Sequence, residues 1–353
     1  MVVPGSGRSK DFAAPADIAP SSPIVSGDGL YFVMARFRGD RDDDFLGKET
    51  LMRAEELSAQ FGIAGILDFE ETEDGMAKAA ISLDGMTGEL YLQGAQLTAW
   101  QLPNERPVLF TSPRSAFAPG RAIRGGIPII FPWFGPSRYR PAAPQHGFAR
   151  TATWHLDGVE TAGSESLALI LSLGDGDVSS PSWPEPFRAI YTVTFARTLS
   201  LRLAVQNRAT HPILFEEALH TYFAVSDITA IAISGLAGTT YIDKTEAGRR
   251  KPQTSALVTI GAETDRVYLD TPARCVLEDR GWRRRIVIEK VGARSSVVWN
   301  PWAEKAAAMA DLGDPAWRGM VCVEAGNIAD DELRLAADGK HQMSVAISVV
   351  APP

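Results

Sequence analysis

Leu199, Leu201, Leu203 and Val205 alternate with Ser200, Arg202, Ala204 and Gln206, and shortly before them Tyr191, Val193 and Phe195 alternate with Thr192 and Thr194. A period of two sends successive side chains to opposite faces of an extended chain, so these segments predict strands with one face buried. Similar β-rich runs fall at 89–93, 167–173, 285–289, 296–299 and 341–350, punctuated by Gly, Pro, Asn and Asp. Many strands with few helical intervals predict an all-β sandwich or barrel, not a parallel α/β sheet. Two helical exceptions are expected. The first, around 51–61, has Ala54, Leu57 and Phe61 at helical spacing and Gly62 to end it. The second is the Ala-rich run 302–312, closed by Gly313.

A chain of 353 residues could hold two domains, but β-sandwiches often run past 200 residues as one. The expectation is a single sandwich domain over 51–353. Residues 1–50 are expected to be a poorly ordered extension: they are rich in Ser, Gly, Pro and Ala, show no sustained periodicity, and carry the charge run from Asp40 to Asp44. Met52 opens the first helix, which suggests Met52 as the natural start; intact mass of a native protein beginning at Met1 would refute that.

The formal net charge of −8 argues against nucleic acid or an anionic membrane as partner. No apolar run approaches the length of a membrane span, and the N-terminus lacks the basic and apolar regions of a secretory signal. A soluble, cytoplasmic protein is expected. Two cysteines, Cys275 and Cys322, make no disulfide framework, and the five histidines show none of the short spacings of zinc sites. No metal and no cofactor is therefore expected, which leaves catalysis to side chains.

One stretch departs from the acidic average. From Arg106 to Leu156 there is no Asp, Glu or Lys, yet seven arginines: Arg106, Arg114, Arg121, Arg124, Arg138, Arg140 and Arg150. Guanidinium forks collected without acids suit phosphate or carboxylate; for any single arginine, a salt bridge to a distant acid is the blander alternative. Within the stretch, Arg124-Gly125-Gly126-Ile127-Pro128 begins a loop whose glycines permit close backbone approach, running on through Phe131-Pro132-Trp133-Phe134. Gln145-His146-Gly147-Phe148-Ala149-Arg150 then brings amide, imidazole and guanidinium donors within six residues. Further on, in Ala218-Leu219-His220-Thr221-Tyr222-Phe223, a strand would put His220 on one face with Ala218 and Tyr222. A histidine in such a strand is commonly a satisfied core residue. Glu324 ends an apolar run, Met320-Val321-Cys322-Val323, before Ala325-Gly326-Asn327. A carboxylate there must be paired, hydrogen-bonded or functional, because burying it bare costs several kcal/mol. Cys322 reads as a small hydrophobe.

Together these segments resemble the aldose 1-epimerase superfamily, in particular its hexose-6-phosphate mutarotase branch. The resemblance is carried by RGGIPIIFPWFG at 124–135, QHGFAR at 145–150, ALHTYF at 218–223, ETDRVY at 263–268, VVWNPW at 297–302, and MADLGD with MVCVEAGN within 309–327. It covers the chain from about residue 61 to its end. It implies a large antiparallel β-sandwich of the galactose-mutarotase-like type, with a short N-terminal helix and a few small helical insertions, and a site in its concave face. By the same resemblance His220 is the general acid and Glu324 the general base. Arg124, Gln145, Arg150 and Asp265 fall where the family binds substrate, and His146 neighbours that pocket. The implied partner is a small phosphorylated hexose, handled by a monomer. The rival readings are a mutarotase for unphosphorylated aldoses and a non-catalytic sugar-phosphate-binding protein. Ring opening needs a base at the C1 hydroxyl and an acid at the ring oxygen, so the two groups are expected to flank C1.

Overall fold

In a computed structural model of the chain, described over residues 36–37, 52–138 and 141–351, the strands form four sheets whose ladders are all antiparallel. A ten-stranded sheet has Thr198–Asn207 at its middle, between Phe187–Phe195 and Lys340–Val350. An eight-stranded sheet runs from Arg249–Pro252 through Thr240–Asp243, Thr264–Leu269, Ser295–Asn300 and Met320–Asn327 to Glu217–Leu219 and Ile129–Ile130. Its remaining strand, Tyr222–Ala224, also pairs with Met320–Asn327. The third sheet is the meander Leu67–Glu71, Ala77–Leu83, Met86–Tyr91 and Gln96–Gln101, and the fourth pairs Ile213–Phe215 with Leu333–Leu335.

The core lies where alternation put it. Leu199, Leu201, Leu203 and Val205 are buried, while Ser200 and Arg202 are exposed. They share one apolar cluster with Val321, Val323 and Ala325 of the eight-stranded sheet. Behind the loop 124–135 the Phe131 ring packs against Phe148, Trp183, Phe187 and Phe215 at centroid distances of 5.9, 5.3, 5.1 and 5.4 Å. Such pairs each add about 0.5–1.5 kcal/mol beyond burial, so both loop motifs rest on a stiff wall.

The first helix is Ala54–Phe61, with Ala54, Leu57 and Phe61 buried. The second covers only Trp302–Ala308, shorter than the expected 302–312, because Met309 is extended. The chain after it turns to bring Asp311 to Arg124. Of the expected extension, Arg36–Phe37 pairs with Val159 and Gly158; the rest of 1–51 lies outside the described residues. No helix among the described residues is long and apolar enough to cross a membrane.

Two glycines show why the motifs need them. Gly126 (φ 61°) would place a Cβ 2.1 Å from the Leu97 carbonyl oxygen, and Gly147 (φ 70°) would place one 1.9 Å from that of Phe131. Gly147→Ala should therefore destabilise the fold by about 2–5 kcal/mol, the left-handed backbone and the clash adding. Gly163→Ala, with φ 58° but open space around it, should cost about 1–2 kcal/mol. Urea unfolding of both variants checks the difference.

A second contact joins the two large sheets. His341 Nε2 lies 3.0 Å from Glu217 Oε1, and Asn327 Nδ2 donates to the same oxygen at 3.0 Å. Burial alone would lower the His341 pKa, but the Glu217 carboxylate and the Gly292 carbonyl raise it above 6.5. A raised folded-state value stabilises fully below the unfolded value and fades as pH rises through the folded one. The stability gap between the wild type and His341→Gln should accordingly be widest at acidic pH and narrow above neutrality, as denaturant midpoints across pH will show.

Candidate active site

The strand Met320–Asn327 is buried along its whole length. Val321, Val323 and Ala325 face the main core, so the alternation turns Cys322 and Glu324 to the opposite face. Register extends that face into rows: Asp265 pairs with Trp299, Trp299 with Cys322, and Cys322 with Tyr222. Glu217–Leu219 and Tyr222–Ala224 pair with the same strand in one continuous register, interrupted only at His220 and Thr221. The interruption leaves His220 opposite Glu324. Its backbone N–H donates instead to the Pro128 carbonyl at 3.0 Å, tying it to the first motif loop. The expected strand through 218–223 is thus broken in its middle, at the residue that carries the imidazole.

His220 Nε2 lies 3.3 Å from Glu324 Oε1. The two groups stand in direct contact, whereas they were expected to flank C1. Both oxygens of one acetal carbon are close neighbours, so a pair acting from one side can reach both. Among the described residues neither Glu324 oxygen, nor His220 Nδ1, has a hydrogen-bond partner. The distance suits an ion pair, but burial argues otherwise. Burial, then Asp265, raises the Glu324 carboxyl well above its ordinary value, with Lys244 pulling it back. Burial, then His146, Arg124 and Arg150, holds the His220 imidazole well below its own. Burial thus pushes the contact away from an ion pair and toward a carboxylic acid beside a neutral imidazole.

Aromatic rings fix the imidazole. Tyr222 stacks on His220 at 4.8 Å and 11°, while Trp299 and His146 meet it edge-on at 6.1 and 5.7 Å. His146, with φ 66°, accepts the Gly135 N–H through Nδ1 at 3.2 Å. That contact leaves the ring proton on Nε2. Burial, then Arg150, Lys244 and Arg124, depress its pKa to about 3, so it is a neutral donor. Glu216 ties the loop down by accepting the N–H groups of Phe134 at 2.9 Å and Ala329 at 2.8 Å.

The cations divide into committed and free. Arg124 is held by Asp311 at 2.9 and 3.0 Å and donates to the Tyr222 hydroxyl at 3.0 Å. Arg138, another of the seven, pairs with Glu332 and sits 3.6 Å from Glu216; the blander alternative holds for it. Arg121 is exposed, and Arg140 lies outside the described residues. Arg150 donates to the Gln145 carbonyl at 2.8 Å and pairs with no carboxylate among the described residues. Lys244 is likewise unpaired there, its Nζ standing 4.9 Å over the Phe134 ring.

His220, Glu324, His146, Arg124, Arg150 and Asp265 are thus gathered on one face. Gln145 is exposed and enters through its backbone carbonyl. Sequence reasoning gave no role to Asp311, Tyr222 or Lys244. The first two lie inside motifs already singled out, whereas Lys244 lies in none.

The aldose 1-epimerase family model matches residues 80–348. A Cenchrus ciliaris protein provisionally named glucose-6-phosphate 1-epimerase is 33% identical over 291 residues, 79% of this chain and 87% of that protein. One from Escherichia coli K12, provisionally named the same, is 34% identical over 235 residues, 66% of this chain and 77% of its own. The solved structure of YeaD from Salmonella typhimurium, provisionally described as a mutarotase, matches with a TM-score of 0.75 at 28% identity, covering 83% of this chain and 96% of that one. A galactose mutarotase-like protein from Clostridium acetobutylicum, at 11% identity and a TM-score of 0.64, shares the fold, with 81% of this chain and 98% of that one covered. With most of its length matched by the family model, the chain belongs to the aldose 1-epimerase family.

Proposed function

We propose that this protein interconverts the α and β anomers of a hexose 6-phosphate, with Glu324 as base and His220 as acid. The observation that carries the reading is the buried Glu324 carboxyl, with no hydrogen bond to either oxygen among the described residues, 3.3 Å from a ring-stacked imidazole. Glu324 takes the proton of the C1 hydroxyl while protonated His220 gives one to the ring oxygen, and the ring opens to an aldehyde. Rotation about C1–C2 presents the other face, and the reverse transfers close it. Each proton returns to its starting residue, so the pair needs no regeneration. Asp265 and Arg124 orient the hydroxyls, and the Nε2–H of His146 offers a further donor.

The phosphate is read by the uncommitted cations. Arg150 and Lys244 both act on His146, so a dianion against that ring would meet both. Arg124, shared with Asp311, has less charge to offer.

Positioned proton transfer contributes about 10²–10⁴-fold. Glu324→Gln and His220→Asn should each fold and lose catalysed anomer exchange by about that factor, measured by NMR on glucose 6-phosphate above the spontaneous rate. A near-wild-type rate in either would remove that residue from the mechanism. Arg150→Ala and Lys244→Met should each raise KM for the hexose 6-phosphate by about tenfold or more, as loss of a charge-assisted contact does, and change free hexose little. Equal losses on both sugars would make these residues structural, and a wild type faster on free glucose would favour the unphosphorylated-aldose reading.

A further inference from the structure

The face that carries His220 and Glu324 also carries Cys322, two residues back on the same strand and paired in register with Tyr222. Strand alternation puts Cys322 and Glu324 on one side, and the neighbouring strand break puts His220 opposite Glu324. One ligand atom from each, imidazole nitrogen, thiol sulfur and carboxyl oxygen, lies within 4.8 Å of the other two. All three residues are buried, at 8%, 0% and 2% exposure. Short-spacing rules miss the group because its members come from two strands far apart in sequence.

We propose that His220, Cys322 and Glu324 form a site for a thiophilic divalent cation, of the Zn²⁺ type, whose occupancy switches the enzyme off. Nitrogen, sulfur and carboxylate oxygen are the donors zinc prefers, and three protein ligands leave a fourth position open. Zinc bonds of about 2.0–2.3 Å set ligand atoms about 3.3–3.6 Å apart, so the cluster must close by about 1 Å. A second observation points to a ligand: the Glu324 side chain, 1% exposed, has no hydrogen bond to either oxygen among the described residues, and its ion-pair contact is with His220, itself a member of the cluster.

Binding releases protons. The Cys322 thiol gives up its proton to solvent as the sulfur–metal bond forms, and the carboxyl loses any proton it holds. Burial and the nearby Glu324 push that thiol well up, so without metal it stays protonated and unreactive. The cation takes the lone pairs that proton transfer uses, which makes it an inhibitor competing with the sugar and not a cofactor. This inhibitory consequence rests on the catalytic reading above; the binding itself does not.

Two measurements test the proposal on the full chain. Co²⁺ added to metal-free protein should give one equivalent of a near-ultraviolet thiolate-to-cobalt band, absent in Cys322→Ala and retained in Cys275→Ala, whose thiol lies outside the site. Zn²⁺ should displace the band and inhibit anomer exchange reversibly by chelator, with Cys322→Ala active and needing at least about tenfold more Zn²⁺. Cys322→Ser serves if the alanine variant folds poorly. No thiolate band in the wild type, or a band that survives loss of Cys322, overturns the site. A band without inhibition keeps the site and overturns the switch; no anomer exchange by the metal-free wild type counts against the catalytic reading alone.

Discussion

A carboxyl group buried without a hydrogen-bond partner is costly, and the site is organised around holding one. Glu324 can stay in place because its strand is paired on both sides, by Ser295–Asn300 and by the two short strands flanking His220. Val321, Val323 and Ala325 anchor the opposite face in the main core, so the side chain cannot turn away without breaking two ladders. The remaining relief is protonation, and the raised pKa reflects it. A group held between neutral and charged forms in this way is suited to exchanging protons.

The adjacent acids Glu216 and Glu217 divide the support between them. Strand alternation sends them to opposite sides: Glu216 to the backbone of Phe134 and Ala329, Glu217 to His341 and Asn327. One segment thereby clamps the loop 124–135 and fastens the two large sheets together, directly before the break that frees His220. Packing and chemistry share a few residues here, which is why a short run of sequence carries so much of the site.

The strands and the core were legible because burial on one face writes itself as period two, as 199–205 shows. The site was legible only in part. His220 and Glu324 stood out through the motifs and the cost of a buried acid, but their adjacency depends on register across strands, which no local pattern contains. The arginine-rich stretch was visible as composition, while its partners were not: Asp311 and Glu332 lie 187 and 194 residues from Arg124 and Arg138. The same distance hid the shortening of the second helix, whose missing turn delivers Asp311. Lys244 carries no local signal, since an exposed lysine after a strand is ordinary until the fold sets it beside Phe134.

The charges around His220 give the phosphate a role beyond attachment. Burial and the neighbours His146, Arg124 and Arg150 keep the imidazole neutral in the empty site, whereas the proposed acid must carry a proton. A dianion placed near Arg150 and Lys244 opposes that positive field and raises the proton affinity of the ring, each pKa unit corresponding to about 1.4 kcal/mol. It pushes the Glu324 carboxyl the same way, because a dianion beside Lys244 cancels the pull that lysine exerts on it. Both groups then hold protons more tightly, so on the proposed reading charge on the substrate favours the protonated imidazole that ring opening needs. A free hexose brings no such charge and leaves the imidazole depressed, so on this reading selectivity for the phosphorylated sugar arises in the proton transfer as well as in binding.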